Sequence, residues 1–378
     1  MADSPAMRGP LVLLLIALAS PARADVDFIA DAKALLVVGA CAEGSVPGIE
    51  PRVYAAHCKK LRASQATYKT TWLSAARTFF AATVPTTIPK TVVYPFAGGD
   101  LATALAVFPD ADEITTLSLE PAGDPRALTR LSPKQITTAL ATVETELASL
   151  YRANYSVTMN MISAMRGGKL PTQLIFGLSA LAIHGYEPVA LRYFTVGEDG
   201  ALRYLTEPEV AAAQAVSDTG RRNRAFANIE LRFKRPGSTR VQVYRHIMAN
   251  LDDAHLAKTP GPLRHLAAKG RVAAMTKAAS YLLTFDDFAT MRRYLIDHVD
   301  WMVSDSTGLP PEYGTPAGFE YETYGTFERS NMKAGGKVAP AWRAMFRAQP
   351  KRPLAFRFGY PDARWRGHLV VMRRTSPR

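Results

Sequence analysis

The stretch over residues 90–126 constrains the fold more than any other part of the sequence. It begins with the β-branched and aromatic residues Thr91–Tyr94, which favour a buried strand. The pair Gly98 and Gly99 then permits a sharp turn before a helix-forming run rich in alanine and leucine. A second β-branched run over residues 114–119 predicts the next strand. This order predicts a β-α-β unit.

An acidic residue follows each strand of this unit. Asp100 stands where the N-cap of the helix belongs, and Glu120 comes directly after the second strand. If the strands are parallel, both side chains emerge at the carboxyl ends, where open α/β sheets place their ligands. We therefore name Asp100 and Glu120 as candidate catalytic carboxylates. The simpler alternative is that Asp100 is a helix cap and Glu120 a loop acid.

The unit is similar to the nucleotide-binding end of a Rossmann or class I methyltransferase fold, which has glycines after its first strand and an acid after its second. It departs from that pattern because it has only a Gly-Gly pair in place of G-x-G-x-x-G, and no acidic residue inside the first strand. The resemblance implies an α/β fold and makes nucleotide- or methyl-donor-dependent catalysis one alternative. We assign no cofactor, because the phosphate-binding glycines are incomplete and exported proteins seldom meet such cofactors.

The amino-terminal sequence predicts export. Arg8 precedes an apolar run over residues 11–19, and an A-x-A-like cleavage site follows at residues 22–24. We predict a signal peptide over residues 1–24, cleaved before Asp25. The mature protein is then expected to be periplasmic or secreted, with no transmembrane segment.

The chain has two cysteines, Cys41 and Cys58. In an oxidising compartment a close pair forms a bridge more often than a reactive site, so we predict a disulfide between the first two helices. Residues 38–41 loosely resemble a lipobox, but the apolar segment before them is too short for a lipoprotein signal. His57 next to Cys58 would offer a metal too few ligands, so no metal site is predicted.

The formal net charge is +13. The predicted signal peptide holds two arginines and one aspartate, which leaves +12 for the mature chain. Outside the cytoplasm such a surplus indicates anionic envelope polymers, lipid head groups or acidic polysaccharide as partners, and the simpler alternative, which we favour, is a basic, solvated surface. No base-reading module with interleaved aromatic residues is present, so nucleic acid is not expected as a partner. The basic clusters lie within residues 221–224, 232–240 and 351–374.

The rest of the chain predicts covering helices and a larger sheet. We expect an N-terminal helical segment over 25–89, the β-α-β unit with further helices over 90–185, and hairpins and helices over 186–378 packed on the same core. The fold class is α/β with α+β character: a mixed sheet with an antiparallel hairpin extension and many covering helices. The later elements predicted are helices at 132–150, 156–165, 172–183, 271–283, 285–301 and 339–347, hairpins of 189–196 with 201–205, 228–234 with 240–244 and 354–360 with 368–373, and a strand at 320–327.

Three later residues are further site candidates. Lys277 and Ser280 are three residues apart in a predicted helix, so they either share one face of an ordinary helix or form a serine–lysine pair. Asp305 opens an Asp-Ser-Thr-Gly turn, which differs from the Asp-Thr-Gly of aspartic proteases and occurs once. The candidate binding residues are Tyr94, Gly98, Gly99, Lys277, Ser280 and Asp305.

Several short stretches together resemble a family of uncharacterised secreted bacterial proteins. They are Tyr94-Pro95-Phe96, Gly99-Asp100, Phe108-Pro109, Leu119-Glu120-Pro121-Ala122-Gly123, residues 277–283, residues 305–308 and Phe358-Gly359-Tyr360. The resemblance implies export and a single architecture over most of the mature chain. It assigns no catalytic residue.

Two functions remain open from the sequence. We predict a soluble, cell-envelope-associated binding protein with a basic surface, because no residue pattern reaches the level of a catalytic signature. The alternative is a carboxylate-based hydrolase or transferase, with its site where Tyr94, Asp100 and Glu120 end the central strands. The sequence leaves open whether the protein is an enzyme and how many copies assemble.

Overall fold

The computed structural model describes residues 25–45, 47–153, 170–330 and 332–375. Their centre is a single ten-stranded sheet. The predicted signal peptide and the helix predicted over 156–165 lie outside the described residues. The strands are β1 Thr91–Tyr94, β2 Glu113–Ser118, β3 Glu187–Val196, β4 Leu202–Tyr204, β5 Asn228–Lys234, β6 Gln242–Met248, β7 Val272–Thr276, β8 Val299–Ser304, β9 Phe319–Gly325 and β10 His368–Arg374.

The spatial order of the strands is β4-β3-β5-β6-β2-β1-β7-β8-β10-β9. The five strands from β6 to β8 are parallel to one another. Antiparallel strands extend the sheet on both sides, β5, β3 and β4 beyond β6, and β10 and β9 beyond β8. The α/β class, the mixed sheet and its antiparallel extension are confirmed. Because the strand order reverses direction between β1 and β7, the ligand crevice of a doubly wound sheet is expected at their carboxyl ends.

Helices cover the sheet and alternate strand residues divide the core. Tyr94 of β1 joins the hydrophobic cluster on one face, whereas its neighbour Val93 joins the cluster on the other face. The α-helices are α1 Ile29–Ala40, α2 Pro51–Tyr68, α3 Ser74–Thr83, α4 Leu101–Val107, α5 Pro133–Ala153, α6 Thr172–His184, α7 Glu207–Ala215, α8 Thr219–Ala225, α9 Asp253–Lys258, α10 Gly261–Ala267, α11 Ala289–His298, α12 Pro311–Gly314 and α13 Ala339–Ala348. A π-helical segment, Lys69–Leu73, joins α2 to α3.

The amino-terminal helices follow the prediction. The disulfide between Cys41 and Cys58 joins the end of α1 to α2, as predicted. A cross-link between these two helices restricts the unfolded chain more than the folded one. No α-helix in the described parts of the chain is long and apolar enough to cross a membrane.

Several later predictions are confirmed. β3 pairs with β4, and β5 pairs with β6, both as antiparallel hairpins. The capping box at Thr206 and Glu209 begins α7. The predicted strand over 320–327 and the predicted helix over 339–347 correspond to β9 and α13.

The helices predicted over 271–283 and 285–301 are wrong in part. The first is strand β7 followed by a loop, and the second ends as strand β8. Both strands are buried on both faces, and such strands have continuous apolar runs that periodicity does not distinguish from a buried helix. The segment 354–360 is not a strand, and β10 pairs instead with β8 and β9.

Candidate functional site

Four side chains fill the carboxyl ends of β1 and β7. Lys277, directly after β7, places its Nζ 2.6 Å from Oδ2 of Asp100 and donates to Oγ1 of Thr103 at 2.6 Å. The Tyr94 hydroxyl donates to the same Asp100 oxygen at 3.0 Å, and the Thr103 amide donates to Asp100 Oδ1 at 3.2 Å. All four side chains are buried. Asp100 is therefore the N-cap of α4, as the simpler alternative predicted, and also the partner of a buried lysine.

Burial dominates the ionisation of this group. It lowers the pKa of Lys277, while the negative charges of Asp100 and Asp305 oppose that effect. Burial also raises the pKa of Tyr94 well above its usual value, and the nearby Asp100 carboxylate raises it further. Tyr94 therefore stays protonated and remains a hydrogen-bond donor to Asp100 at neutral pH.

The glycine pair serves the turn and the packing between helices. Gly98 has φ +53°, in the left-handed region that favours glycine. A Cβ on Gly99 would lie 2.3 Å from the Phe176 ring, so the backbone packs directly against α6. The two glycines predicted as binding residues thus bring the turn close to another helix.

Asp305 holds three loops together beside this group. Its Oδ2 accepts hydrogen bonds from the amides of Ala278 at 3.1 Å and Tyr360 at 2.8 Å. Its Oδ1 accepts one from the Thr307 amide at 3.0 Å. The side chain is fully buried, and a Cβ on Gly359 would clash with it. The turn that contains Asp305 follows strand β8 rather than the predicted helix, and its described contacts organise the loops after β7 and before β10.

The loop after β7 is conformationally unusual. Ala278, Ser280 and Tyr281 have φ values of 53°, 52° and 58°, a region that non-glycine residues rarely occupy. Such conformations persist only where the surroundings hold them, here through Asp305 and through Thr307, whose Oγ1 accepts from the Ala279 amide. The loop therefore depends on the turn after β8.

Lys277 and Ser280 lie in this loop, so their expected common helical face is wrong. The Ser280 hydroxyl lies 3.4 Å from the Tyr360 hydroxyl. The ammonium group of Lys277 instead contacts Asp100 and Thr103. These contacts direct the two side chains to different partners.

Glu120 differs from Asp100 in its contacts. Its side chain is 6 % exposed, yet within the described parts of the chain neither carboxylate oxygen has a hydrogen-bond partner. The same holds for the hydroxyl of Ser118, the last residue of β2. A buried carboxylate without donors is energetically unfavourable, so this position favours a ligand that donates hydrogen bonds.

The backbone at Glu120 is held in place. Its carbonyl accepts a hydrogen bond from Nε2 of His246 at 2.7 Å. Burial lowers the pKa of His246 to about 4, against a smaller opposite effect of this hydrogen bond. His246 is therefore neutral at physiological pH and acts as a positioning residue for the Glu120 loop.

A basic helix lies next to this loop. The amides of Ala122 and Gly123 donate to the carbonyls of Ala227 and Phe226, directly after α8. This backbone pairing places α8, with its arginines, beside the Glu120 loop. The arginines of this helix are Arg221, Arg222 and Arg224.

The three arginines differ in their partners. Arg222 forms an ion pair with Asp124 at 3.1 Å. Arg221 and Arg224 are exposed and make no ion pair with a carboxylate in the described regions. The apolar side chain of Leu119, 57 % exposed, precedes Glu120 at the same edge. The Glu120 loop thus lies beside α8, which carries two exposed arginines, and it follows one exposed apolar side chain.

The sequence did not identify His246, Ser118 or α8 as neighbours of Glu120. The sequence does show that a polar residue, Ser118, ends the strand before Glu120. His246 and α8 come from distant parts of the chain, so no local pattern indicates that they lie beside Glu120. The side chains of Cys41, His57 and Cys58 also lie together, in a group that could hold a metal ion. Both sulfurs are in the disulfide, so neither is available as a thiolate ligand.

A scan against protein-family models, a search of curated proteins and a search of solved structures each find no match for this chain. The family resemblance stays a prediction from the sequence.

Proposed function

We propose that this is an exported, cell-envelope-associated binding protein that holds an anionic polysaccharide at the carboxyl edge of its sheet. Glu120 would accept hydrogen bonds from sugar hydroxyls once the loop after β2 moves and uncovers its two buried oxygens, and Arg221 and Arg224 would attract the acidic groups. The observation that carries the proposal is the buried Glu120 carboxylate, whose two oxygens have no donor in the described part of the chain.

The chemistry of the ligand follows from these groups. A carboxylate offers two acceptor oxygens, which suit neighbouring hydroxyls such as those of a sugar ring. Leu119 adds apolar surface at the same edge, which suits the C–H face of a sugar. Two exposed arginines on α8 favour a ligand that also carries negative charge.

The proposed location rests on separate observations. The disulfide between Cys41 and Cys58 is typical of proteins that fold in an oxidising compartment. The apolar segment over residues 11–19 supports a signal peptide, and the net charge of +12 that remains without residues 1–24 suits a partner with many negative groups.

The paired-carboxylate enzyme remains a prediction that these contacts favour less. Asp100 is engaged by Lys277, Tyr94 and the amide of Thr103. A carboxylate with these partners is suited to holding α4 and the turn before it. We therefore assign ligand contact to Glu120 and structural support to Asp100.

Calorimetric titration with three oligomers tests the proposal. The ligands are an oligogalacturonate, which carries hydroxyls and charge, maltohexaose, which carries only hydroxyls, and polyphosphate, which carries only charge. We expect saturable binding of the oligogalacturonate, stronger than that of the other two. If polyphosphate bound as tightly as the oligogalacturonate, the interaction would be general electrostatic attraction, which contradicts the proposal. The absence of oligogalacturonate binding would contradict it as well.

A pair of matched variants locates the surface. Arg221→Gln with Arg224→Gln should weaken oligogalacturonate binding and reduce its dependence on salt, because two contacts with the charged polymer are lost. Arg293→Gln with Arg347→Gln removes the same charge from exposed positions on α11 and α13 and should leave the affinity within about twofold. Equal effects of the two double variants would contradict the proposed position.

A further inference from the structure

A cavity lies at the opposite, amino-terminal edge of the sheet. Its volume is about 460 Å³, within the usual range of roughly 300–1,000 Å³ for small-molecule sites. It is bounded by the end of α3, the end of α4 and the segments before β1 and β2. Most of its lining is apolar, including the buried side chains of Phe80, Val92, Leu105 and Phe108.

Three cations also line this cavity: Arg77, Lys90 and Arg235. None of the three forms an ion pair with a carboxylate in the described portions of the chain, although many other arginines here do. The one acidic lining residue, Asp110, is paired with Arg240 at 3.5 Å. The cavity therefore combines an apolar body with an excess of positive charge.

The two arginines are held in place by neutral groups. Arg77 donates to Nδ1 of His184 at 3.0 Å. Arg235 donates to the Tyr186 hydroxyl at 3.2 Å, and its guanidinium carbon lies 4.6 Å from the centre of that ring. Because these partners carry no negative charge, both arginines keep their full attraction for an anion.

His184 adds a polar group to the cavity wall. It is buried, and its Nε2 has no hydrogen bond of good geometry within the described residues. Burial, followed by the charge of Arg77, lowers the pKa of His184 to about 3, while the Ala102 carbonyl has a smaller opposite effect. With Nδ1 accepting from Arg77, the neutral ring carries its proton on Nε2.

We propose that this cavity binds an amphipathic carboxylate. Its acyl or aryl body would lie on the apolar lining, and its head group between Arg77 and Arg235. The excess of cations disfavours a purely apolar ligand, and the apolar lining disfavours a small hydrophilic anion. This site is separate from the one at Glu120 and does not depend on the function proposed for it.

Calorimetric titration with decanoate tests the site. Two control ligands separate its features: decanol has the apolar chain without a carboxylate, and acetate has the carboxylate without the chain. We expect decanoate to bind at least about tenfold more tightly than either, because only decanoate uses both features. No saturable decanoate binding below about 1 mM, or decanol binding as tightly as decanoate, would overturn the proposal.

Two kinds of variant assign the binding to this cavity. Arg77→Gln with Arg235→Gln should weaken decanoate binding about tenfold or more, whereas Arg293→Gln with Arg347→Gln should not. Ala81→Trp, at an exposed lining position, should occupy part of the cavity and weaken decanoate binding without disturbing the core. If circular dichroism shows that the double variant is misfolded, the decanoate affinity of Ala81→Trp alone tests the proposal. Unchanged decanoate affinity in a folded Ala81→Trp protein overturns the proposal.

Discussion

Replacing Lys277 by methionine should strongly destabilise the protein. Methionine keeps the length of the side chain but removes its charge, which leaves the Asp100 carboxylate buried without its cationic partner. Loss of one partner of a buried ion pair typically costs about 3–5 kcal/mol. For a chain of 378 residues, an unfolding entropy of about 2.1 cal/mol/K per residue converts this loss into a fall in Tm of about 4–6 °C.

Thermal unfolding followed by circular dichroism measures this fall, with two controls. Asp100→Asn combined with Lys277→Met should recover much of the lost stability, because asparagine carries no charge and can still cap α4. Lys60→Met breaks an exposed pair with Glu144 and should change the free energy of unfolding by only about 0–1 kcal/mol. A fall in Tm below about 1 °C for Lys277→Met, or no recovery in the double variant, would refute this account of the pair.

Two further predictions concern stability against pH and reduction. The pKa of His246 is about 4 in the folded protein and 6.5 in the unfolded chain, so its contribution is complete above pH 6.5 and is lost as the pH falls to about 4. Urea unfolding should therefore show the stability difference between wild type and His246→Gln shrink by about 3 kcal/mol over this window; a difference that does not vary with pH contradicts it. Cys41→Ser with Cys58→Ser opens a loop with a sequence separation of 17 and should cost about 3 kcal/mol. A reductant should destabilise the wild type but not this variant, and equal responses to the reductant would show that the bridge does not contribute.

Local patterns predicted the elements whose side chains alternate or whose ends carry specific residues. The β-α-β unit over 90–126, the two hairpins from β3 to β6 and the capping box at Thr206 were all readable, because turn and cap residues mark them. Strands β7 and β8 could not be predicted in this way, because both of their faces are buried and polar residues do not alternate with apolar ones along them.

The candidate site was only partly predictable for a different reason. The position of Asp100 as a cap follows from the residues beside it, and this was foreseen. Its partner Lys277 follows strand β7, which pairs with β1 only in the folded sheet, and Thr103 and Lys277 are 174 residues apart. His246 and Glu120 are likewise 126 residues apart. Such pairs depend on strand order, which local sequence does not specify.

The affinity of Glu120→Gln for the oligogalacturonate tests the central claim most directly. Glutamine keeps the shape of the side chain but replaces one acceptor oxygen by a donor and removes the negative charge. If Glu120 accepts hydrogen bonds from sugar hydroxyls, binding should weaken about tenfold or more, whereas Glu198→Gln, at an exposed turn, should leave it unchanged. If the polymer is held only by positive charge, removal of a carboxylate should instead strengthen binding. Unchanged or tighter binding by Glu120→Gln would contradict the proposed function.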